Sequence, residues 1–413
     1  MRTVVQKFGG SSLATAELRS IAATRVLEAR KRGVAPVVVC SALGRAPDPY
    51  ATDSLLRLTS TGSTGPNHDM LLACGEMIAA AIFADELCAL GAPARAMSGA
   101  QAGIVTDDRF GDAQIVHVEP ANVALALERG IVPVVAGFQG VTSGGATTTL
   151  GRGGSDLTAM ALGRALKAEI VEIFTDVSGV MTADPRRISG AHSIKRADYE
   201  EMVELAGEGA KIVHAKAAEL ARAARLPYVV KGLFTDSGTI IEDSRKAPLG
   251  SVTGVTAIHH VAFFRVIQGD IEDAGAQREL QVTLFGRLAE SGISIDMINV
   301  NTAGIFFIAS MERVEEVRSA LRDLNLAVRV RPDCAKLSIV GAGMRGTSGV
   351  MYRVVEALSQ LCVEIIHSTD SNITISVLVP ESEAVRAEQG LHDFFHLGAR
   401  SSGAATRPKE AIA

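Results

Sequence analysis

Val37-Val38-Val39 and Ile131–Ala136 are continuous apolar runs that show no alternation between wet and dry faces. Such runs suit strands covered on both sides, the signature of a sheet buried between layers. They recur up to about residue 240, separated by helical stretches. TVVQKF precedes helical Ser12–Arg32, and PVVVCSALG precedes the alanine-rich stretch Asp69–Leu90. IVPVVAGFQG comes next, and EIVEIFTDVSGV follows a helical stretch over Asp156–Ala168. Strands separated by helices return in parallel, so the predicted fold class is α/β, a parallel-rich open sheet sandwiched by helices. Ligands of such sheets bind beyond the carboxyl ends of the strands. The polar, glycine-rich stretches KFGGSS, SALGR, FQGVTSGG and TDVSGV all fall there.

Three of these stretches carry candidate chemistry. In VVQKFGGSSLAT a strand stops at Gly9-Gly10 and a helix starts near Ser11-Ser12, which leaves bare amides beside the charge of Lys7. Exposed N–H groups next to a lysine attract an anion. In TTTLGRGGSDLTA a loop again leads into a helix, with Ser155 or Asp156 near its N-cap. Arg152 lies among Gly151, Gly153 and Gly154, which allow close approach, and its guanidinium fork suits a carboxylate. In FTDVSGVMTADPR, Thr175 and Asp176 end a strand where an adenine or ribose could be held, and Arg186 after the Asp184-Pro185 turn could reach a phosphate; an ordinary surface loop fits that composition equally well.

The second half has a different texture and an internal repeat. Laid over each other without gaps, Val282–Ser310 and Tyr352–Pro380 match Leu284 with Val354, Leu288 with Leu358, Ile295 with Ile365 and Phe307 with Val377. Each copy reads as helix, short strand, turn and second strand. Units this small cannot hide a sheet alone, so the two are expected to pack together. SRKAPLGS, 244–251, reads as the boundary between the halves.

A chain of 413 residues needs two or three cores. A net charge of −5 argues against nucleic acid or an anionic membrane as partner. No apolar run approaches the roughly 20 residues of a membrane helix, and MRTVVQKFGG does not read as a signal peptide. Cys40, Cys74, Cys88, Cys334 and Cys362 form no C-x-x-C pair, which fits reduced, mostly buried thiols in a cytoplasmic protein. VGAGMRG, 340–346, has a dinucleotide-type glycine pattern, but too little chain follows it and it lies in the repeat. His392 and His396 read as a helix-surface pair rather than metal ligands, and His259-His260 has no acidic or thiol partner nearby in sequence.

KFGGSS, TTLGRGGSD and TDVSGVMTADPR, in this order and at these separations, resemble the aspartokinases of the amino acid kinase family. GAKIVHAKAAELA, 209–221, resembles the family's later GAKV helix, and the repeat resembles its paired ACT modules. GRAPDPYATDSLL, LLACGEMIAA and GVMTADP look like the class regulated by diaminopimelate. The resemblance implies an amino acid kinase catalytic domain over 1–243. It implies two α+β, ferredoxin-like ACT modules over 252–335 and 336–400, and a flexible tail over 401–413.

The implied reaction passes the γ-phosphoryl of ATP to the side-chain carboxylate of L-aspartate, giving 4-phosphoaspartate. Lys7, Asp156 and Lys211 are the implied catalytic residues, with Asp156 orienting the lysines. Arg152 is implied at the substrate's α-carboxylate and Glu76 at its ammonium, with Gly153, Gly154 and Ser155 beside them. Lys7, Phe8, Gly9, Gly10, Ser41, Thr175, Asp176, Met181, Asp184, Arg186 and Lys211 map to nucleotide-binding positions. Mg²⁺ is expected to arrive on ATP, held mainly by phosphate oxygens, with no protein metal site. An amino acid effector at the ACT modules is expected, diaminopimelate or, failing that, lysine, in a homo-oligomer of two or more chains.

Three departures stand out. Gly44-Arg45-Ala46-Pro47-Asp48 replaces a G-x-T-T-x segment, Gly75-Glu76-Met77 replaces GER, and Lys231-Gly232-Leu233-Phe234 replaces an R-S-S-F-like stretch. The first module reads Gly269-Asp270-Ile271-Glu272-Asp273-Ala274-Gly275 where many relatives have D-K-P-G, which speaks against threonine as effector. Two other readings compete: a kinase of another small carboxylate, such as an acylated glutamate, and a regulatory paralogue with weak catalysis.

Overall fold

The computed structural model describes residues 2–59, 64–210, 212–243, 251–267, 274–301, 303–324, 326–344 and 347–398. Packing divides them into two units. One holds the described residues up to Val180 and from Ser193 to Asp243; the other holds Met181–His192 and the described residues from Ser251 onward.

The first unit is built on an eight-stranded sheet. Its order is Arg196–Ala197, Gly238–Ile241, Tyr228–Gly232, Ile170–Thr175, Thr3–Phe8, Ala35–Cys40, Val132–Ala136 and Ala94–Met97. Every neighbouring pair is parallel except Tyr228–Gly232 with Gly238–Ile241. The expected α/β class holds, and Val37, Val38 and Val39 are fully buried as their uninterrupted run requires. Phe8, Cys40, Ala136 and Phe174 share one core with Ala22, Ala23 and Val26 of the helix Ala16–Lys31 and with Phe83 and Leu87 of the helix Pro66–Ala89. Thr15 Oγ1 caps the first helix by accepting from the Leu18 amide at 3.3 Å. Pro66 starts the second, where its missing N–H costs nothing. A smaller four-stranded sheet joins Ile115–Val118, Ile104–Thr106, Gln139–Thr142 and Thr147–Thr149.

The second unit carries a six-stranded antiparallel sheet. Its order is Asp296–Asn301, Gly304–Ser310, Ser251–Ile267, Ala327–Ala342, Thr374–Pro380 and His367–Asp370. The repeat is realised as two cores. Leu284, Leu288 and Phe307 lie in one, and their matches Val354, Leu358 and Val377 lie in the other. The two long strands serve both. Along Ser251–Ile267, Val255 enters the second core and Phe264 the first. Residues near the start of that strand therefore belong with the later copy of the repeat. A hydrophobicity pattern does not reveal this, because both halves of the strand are apolar.

Met181–His192 also packs in the second unit. Val255 donates to the Thr182 carbonyl at 2.8 Å, the Ser189 amide donates to Gln389 Oε1 at 2.7 Å, and Thr182 Oγ1 lies 3.0 Å from His392 Nε2. His392 is fully buried, which corrects the helix-surface reading, and burial lowers its pKa. His259 finds its carboxylate far along the chain, at Glu381 Oε1, 2.7 Å away. Cys40 and Cys334 are buried and Cys74, Cys88 and Cys362 are exposed, so the thiols are not mostly buried. Among the described residues no helix is long and apolar enough to cross a membrane.

Candidate active site

Parallel strands end on the same edge of a sheet, and four of them deliver the site. Thr3–Phe8 ends at Gly9, Ala35–Cys40 at Ser41, Val132–Ala136 at Gly137 and Ile170–Thr175 at Asp176. Lys7 Nζ, near the first strand end, lies 2.7 Å from Asp156 Oδ1, with both side chains nearly buried. Asp156 is in the first turn of the helix Gly154–Ala165, just after the loop that carries Arg152. Lys7, Asp156 and the Arg152 loop are thus brought to one place. Arg152 is exposed and makes no ion pair among the described residues.

The cap of that helix is Gly153 rather than Ser155 or Asp156. Gly153 has φ +67°, and a Cβ there would lie 2.2 Å from the Cβ of His214. Both facts exclude a side chain. Gly153→Ala is expected to lower the melting temperature by several degrees, through ~1–3 kcal/mol of strain and overpacking. Thermal unfolding of the variant against the parent chain checks this.

Gly10 is fixed by a close approach of backbone. A Cβ would sit 2.4 Å from the Ala42 carbonyl and 2.7 Å from that of Gly44. Two expected nucleotide residues read differently here. The Gly9 amide donates to the Phe174 carbonyl at 3.3 Å. Phe8 turns into the core, stacked 4.6 Å from Phe174, and its carbonyl accepts from the Ser41 amide. Only the main chain of Phe8 is at the strand end, because alternation sends Lys7 and Phe8 to opposite faces.

Glu76 is buried in the middle of the helix Pro66–Ala89. Its Oε1 accepts from the Ala42 amide at 3.0 Å, and Oε2 is buried without a partner among the described residues. Burial pushes its pKa up to about 8, against the pull of the Ala42 amide. An orphaned buried carboxyl oxygen is costly in isolation and is what an incoming ammonium would satisfy.

Several members of the site were not singled out from sequence. The His214 amide faces Asp156 Oδ2 at 3.4 Å, and Lys216 Nζ pairs with Asp112 Oδ1 at 2.5 Å. Asp69 is fully buried, and its Oδ2 accepts from the Gly111 and Thr149 amides at 3.0 and 2.6 Å. These contacts tie the small sheet and the residue 212–216 segment to the glycine-rich loop. His214 and Lys216 lie inside the GAKIVHAKAAELA stretch, which was the available signal. Arg45 pairs with Asp176 at 3.0 Å, so the GRAPD departure supplies a cation to the strand end where Thr175 Oγ1 also meets Asp176. Lys231 of the KGLF departure is held by Glu172 at 2.8 Å, with Gln6 on the other carboxyl oxygen.

Met181, Asp184 and Arg186 pack within the second unit, where Arg186 forks onto Asp184 at 3.0 and 2.8 Å and lowers its pKa. Lys211 lies outside the described residues, as do 269–273 and the 401–413 tail.

Comparison with known proteins bears on this arrangement. The model of the amino acid kinase family matches residues 2–232, and that of the ACT domain matches residues 337–395. Aspartokinase 1 of Bacillus subtilis (strain 168) is 39% identical over 407 residues, which is 96% of this chain and 100% of that protein. The aspartokinase of Corynebacterium glutamicum is 39% identical over 418 residues, covering 96% of this chain and 97% of its own. E. coli aspartokinase III in complex with aspartate and ADP is 25% identical with a TM-score of 0.78, covering 95% of this chain and 99% of that one. Agreement over nearly the whole length, on a parallel sheet whose strand ends gather the lysine, the acid and the glycine loop, makes this chain a member of the aspartokinase family.

Proposed function

We propose that the chain transfers the γ-phosphoryl of ATP to the side-chain carboxylate of L-aspartate, giving 4-phospho-L-aspartate. The observation that carries this is the Lys7–Asp156 pair beside the arginine-bearing glycine loop. E. coli aspartokinase III, a relative across almost the full chain, has been solved with aspartate and ADP.

The nucleophile needs no base, because a side-chain carboxylate of pKa about 3.9 is ionised at neutral pH. The barrier is the approach of two anions, so positioning and fixed positive charge supply the catalysis. Lys7 faces the transferring phosphoryl, and Asp156 holds its ammonium in place. The Gly10 amide is assigned to the same phosphoryl; the backbone at Gly10 closes on the Ala42 and Gly44 carbonyls, where only glycine fits. Lys211 is assigned a second cation on the resemblance alone. Arg152, with Gly153, Gly154 and Ser155, takes the α-carboxylate, and Glu76 takes the ammonium. Thr175, Asp176 and Ser41 hold the nucleotide at the strand ends. The expectation for Met181, Asp184 and Arg186 rests on the resemblance alone. Mg²⁺ arrives as part of the ATP complex.

Aspartate-dependent ADP release with Mg²⁺-ATP tests the assignment. An acylated glutamate in place of aspartate is expected to give none; turnover with it instead would move the chain to the other acceptor.

The repeat in the second unit is assigned an effector-binding role in a cytoplasmic homo-oligomer, at the entry to aspartate-derived amino acid synthesis. Diaminopimelate is the effector favoured by the class resemblance, with lysine next; a relative, E. coli aspartokinase III, has been solved with lysine and aspartate. Titrating each amino acid against initial rate is expected to show inhibition by one of the two, and indifference to both would remove the regulatory reading.

A further inference from the structure

One row of side chains crosses the sheet of the second unit. Asn299 stands opposite Phe306, Phe306 opposite Arg265, and Arg265 opposite Arg329. Directly opposed residues have Cβ atoms roughly 5 Å apart, and like charges in that position are destabilising. Among the described residues neither Arg265 nor Arg329 has an ion-pair partner. The neighbouring Arg331 does: Glu364 takes it with two bonds of 2.9 and 2.7 Å. The one carboxylate of the region is therefore already committed. All six residues line a cavity of about 770 Å³, within the range of small-molecule sites. In a chain of net charge −5, two adjacent uncompensated arginines over a cavity are a local excess of positive charge.

The geometry points to a dicarboxylate-binding site in this cavity, with Arg265 and Arg329 as the two anion receptors. Each guanidinium offers a planar fork that matches one carboxylate. The Phe306 ring, 5.7 Å from the Arg265 guanidinium carbon, supplies an apolar wall for the carbon chain between them. The amide of Asn299 provides further hydrogen bonds at the rim. A lone phosphate would fill little of the volume and use one fork. A monocarboxylate would leave one arginine unmatched. The inference deepens the effector reading, since of the two amino acids considered there only diaminopimelate has two carboxylates.

Isothermal titration calorimetry on the full chain, with meso-diaminopimelate, pimelate, L-lysine and inorganic phosphate as separate probes, tests it. Both dicarboxylates are expected to bind, and Arg265→Gln and Arg329→Gln each to weaken them at least tenfold. Lysine and phosphate are expected to bind at least tenfold more weakly than the dicarboxylates. Each variant removes a like-charge contact, so its melting temperature without ligand is expected to hold or rise and its uninhibited kinase rate to stay unchanged. Absence of dicarboxylate binding, binding undiminished in both variants, or phosphate binding as tight as pimelate would overturn the site. So would a change in sedimentation of the variants with dicarboxylate affinity intact, which would make the arginines a contact for a second copy. Amino acid inhibition that survives in both variants would remove this cavity and leave the effector reading standing. Dicarboxylate binding without inhibition would do the reverse.

Discussion

Lys7→Ala is expected to lower the turnover number by on the order of 1,000-fold or more while leaving the aspartate KM within a few fold. The reason is where the charge sits. Lys7 Nζ is held 2.7 Å from Asp156 at the end of the first strand, so its cation is fixed before substrate arrives. A fixed charge aimed at the transferring phosphoryl stabilises the transition state with little reorganisation, and loss of one such group costs ~3–4 kcal/mol or more. The substitution also strands Asp156, which is 7% exposed, so the melting temperature should fall. The double variant Lys7→Met with Asp156→Asn separates the two effects. It replaces the ion pair by neutral groups and is expected to recover stability without recovering turnover. Recovery of both would mean that Lys7 is structural.

Glu76→Gln is expected to raise the aspartate KM on the order of 100-fold, ~3 kcal/mol, with a smaller effect on kcat. Glutamine keeps an oxygen for the Ala42 amide, and it cannot supply the negative charge that an ammonium needs. The pH dependence has a definite sign. Burial raises the Glu76 pKa from 4.5 to about 8 in the empty protein, so near neutrality the folded chain carries a proton that the unfolded chain has lost. Stability from this group is therefore greatest below about 4.5 and falls as pH rises through that window towards 8. With Glu76 in its proposed place at the substrate's ammonium, aspartate binding is expected to run the other way, because it would require the ionised form. The wild-type aspartate KM should fall between pH 6 and 8, and the Gln variant should show a flat profile over the same range. The variant should also be the more stable of the two at pH 8. A KM unchanged by the substitution would remove Glu76 from the substrate's ammonium.

The sheet was legible because Val37-Val38-Val39 and the other unbroken runs have no other easy place in a folded chain. Lys7, Arg152 and Asp156 were legible because glycines surround them at strand-to-helix turns, a local signal. Glu76 was not legible without the resemblance, since a glutamate in a helix is ordinary until its burial is known. Asp69 and Asp112 stayed hidden for a related reason: their partners lie tens of residues away, at Thr149 and Lys216. The packing of Met181–His192 with residues beyond 250, and the strand Ser251–Ile267 that serves both cores, are long-range facts that no local period encodes. His392 shows the same limit, because an i, i+4 histidine pair looks alike whether its helix face is wet or covered by Thr182.

The central claim is that anions are brought together on fixed cations so that a carboxylate attacks a phosphoryl group, and the product itself tests it. An acyl phosphate formed on aspartate reacts with hydroxylamine to give a hydroxamate. With Mg²⁺-ATP, aspartate and hydroxylamine present, hydroxamate on the side-chain carbonyl is expected to accumulate in step with ADP, one for one, and to vanish without aspartate. ADP release in the presence of aspartate with no hydroxamate, or hydroxamate on the α-carbonyl instead, would contradict the account.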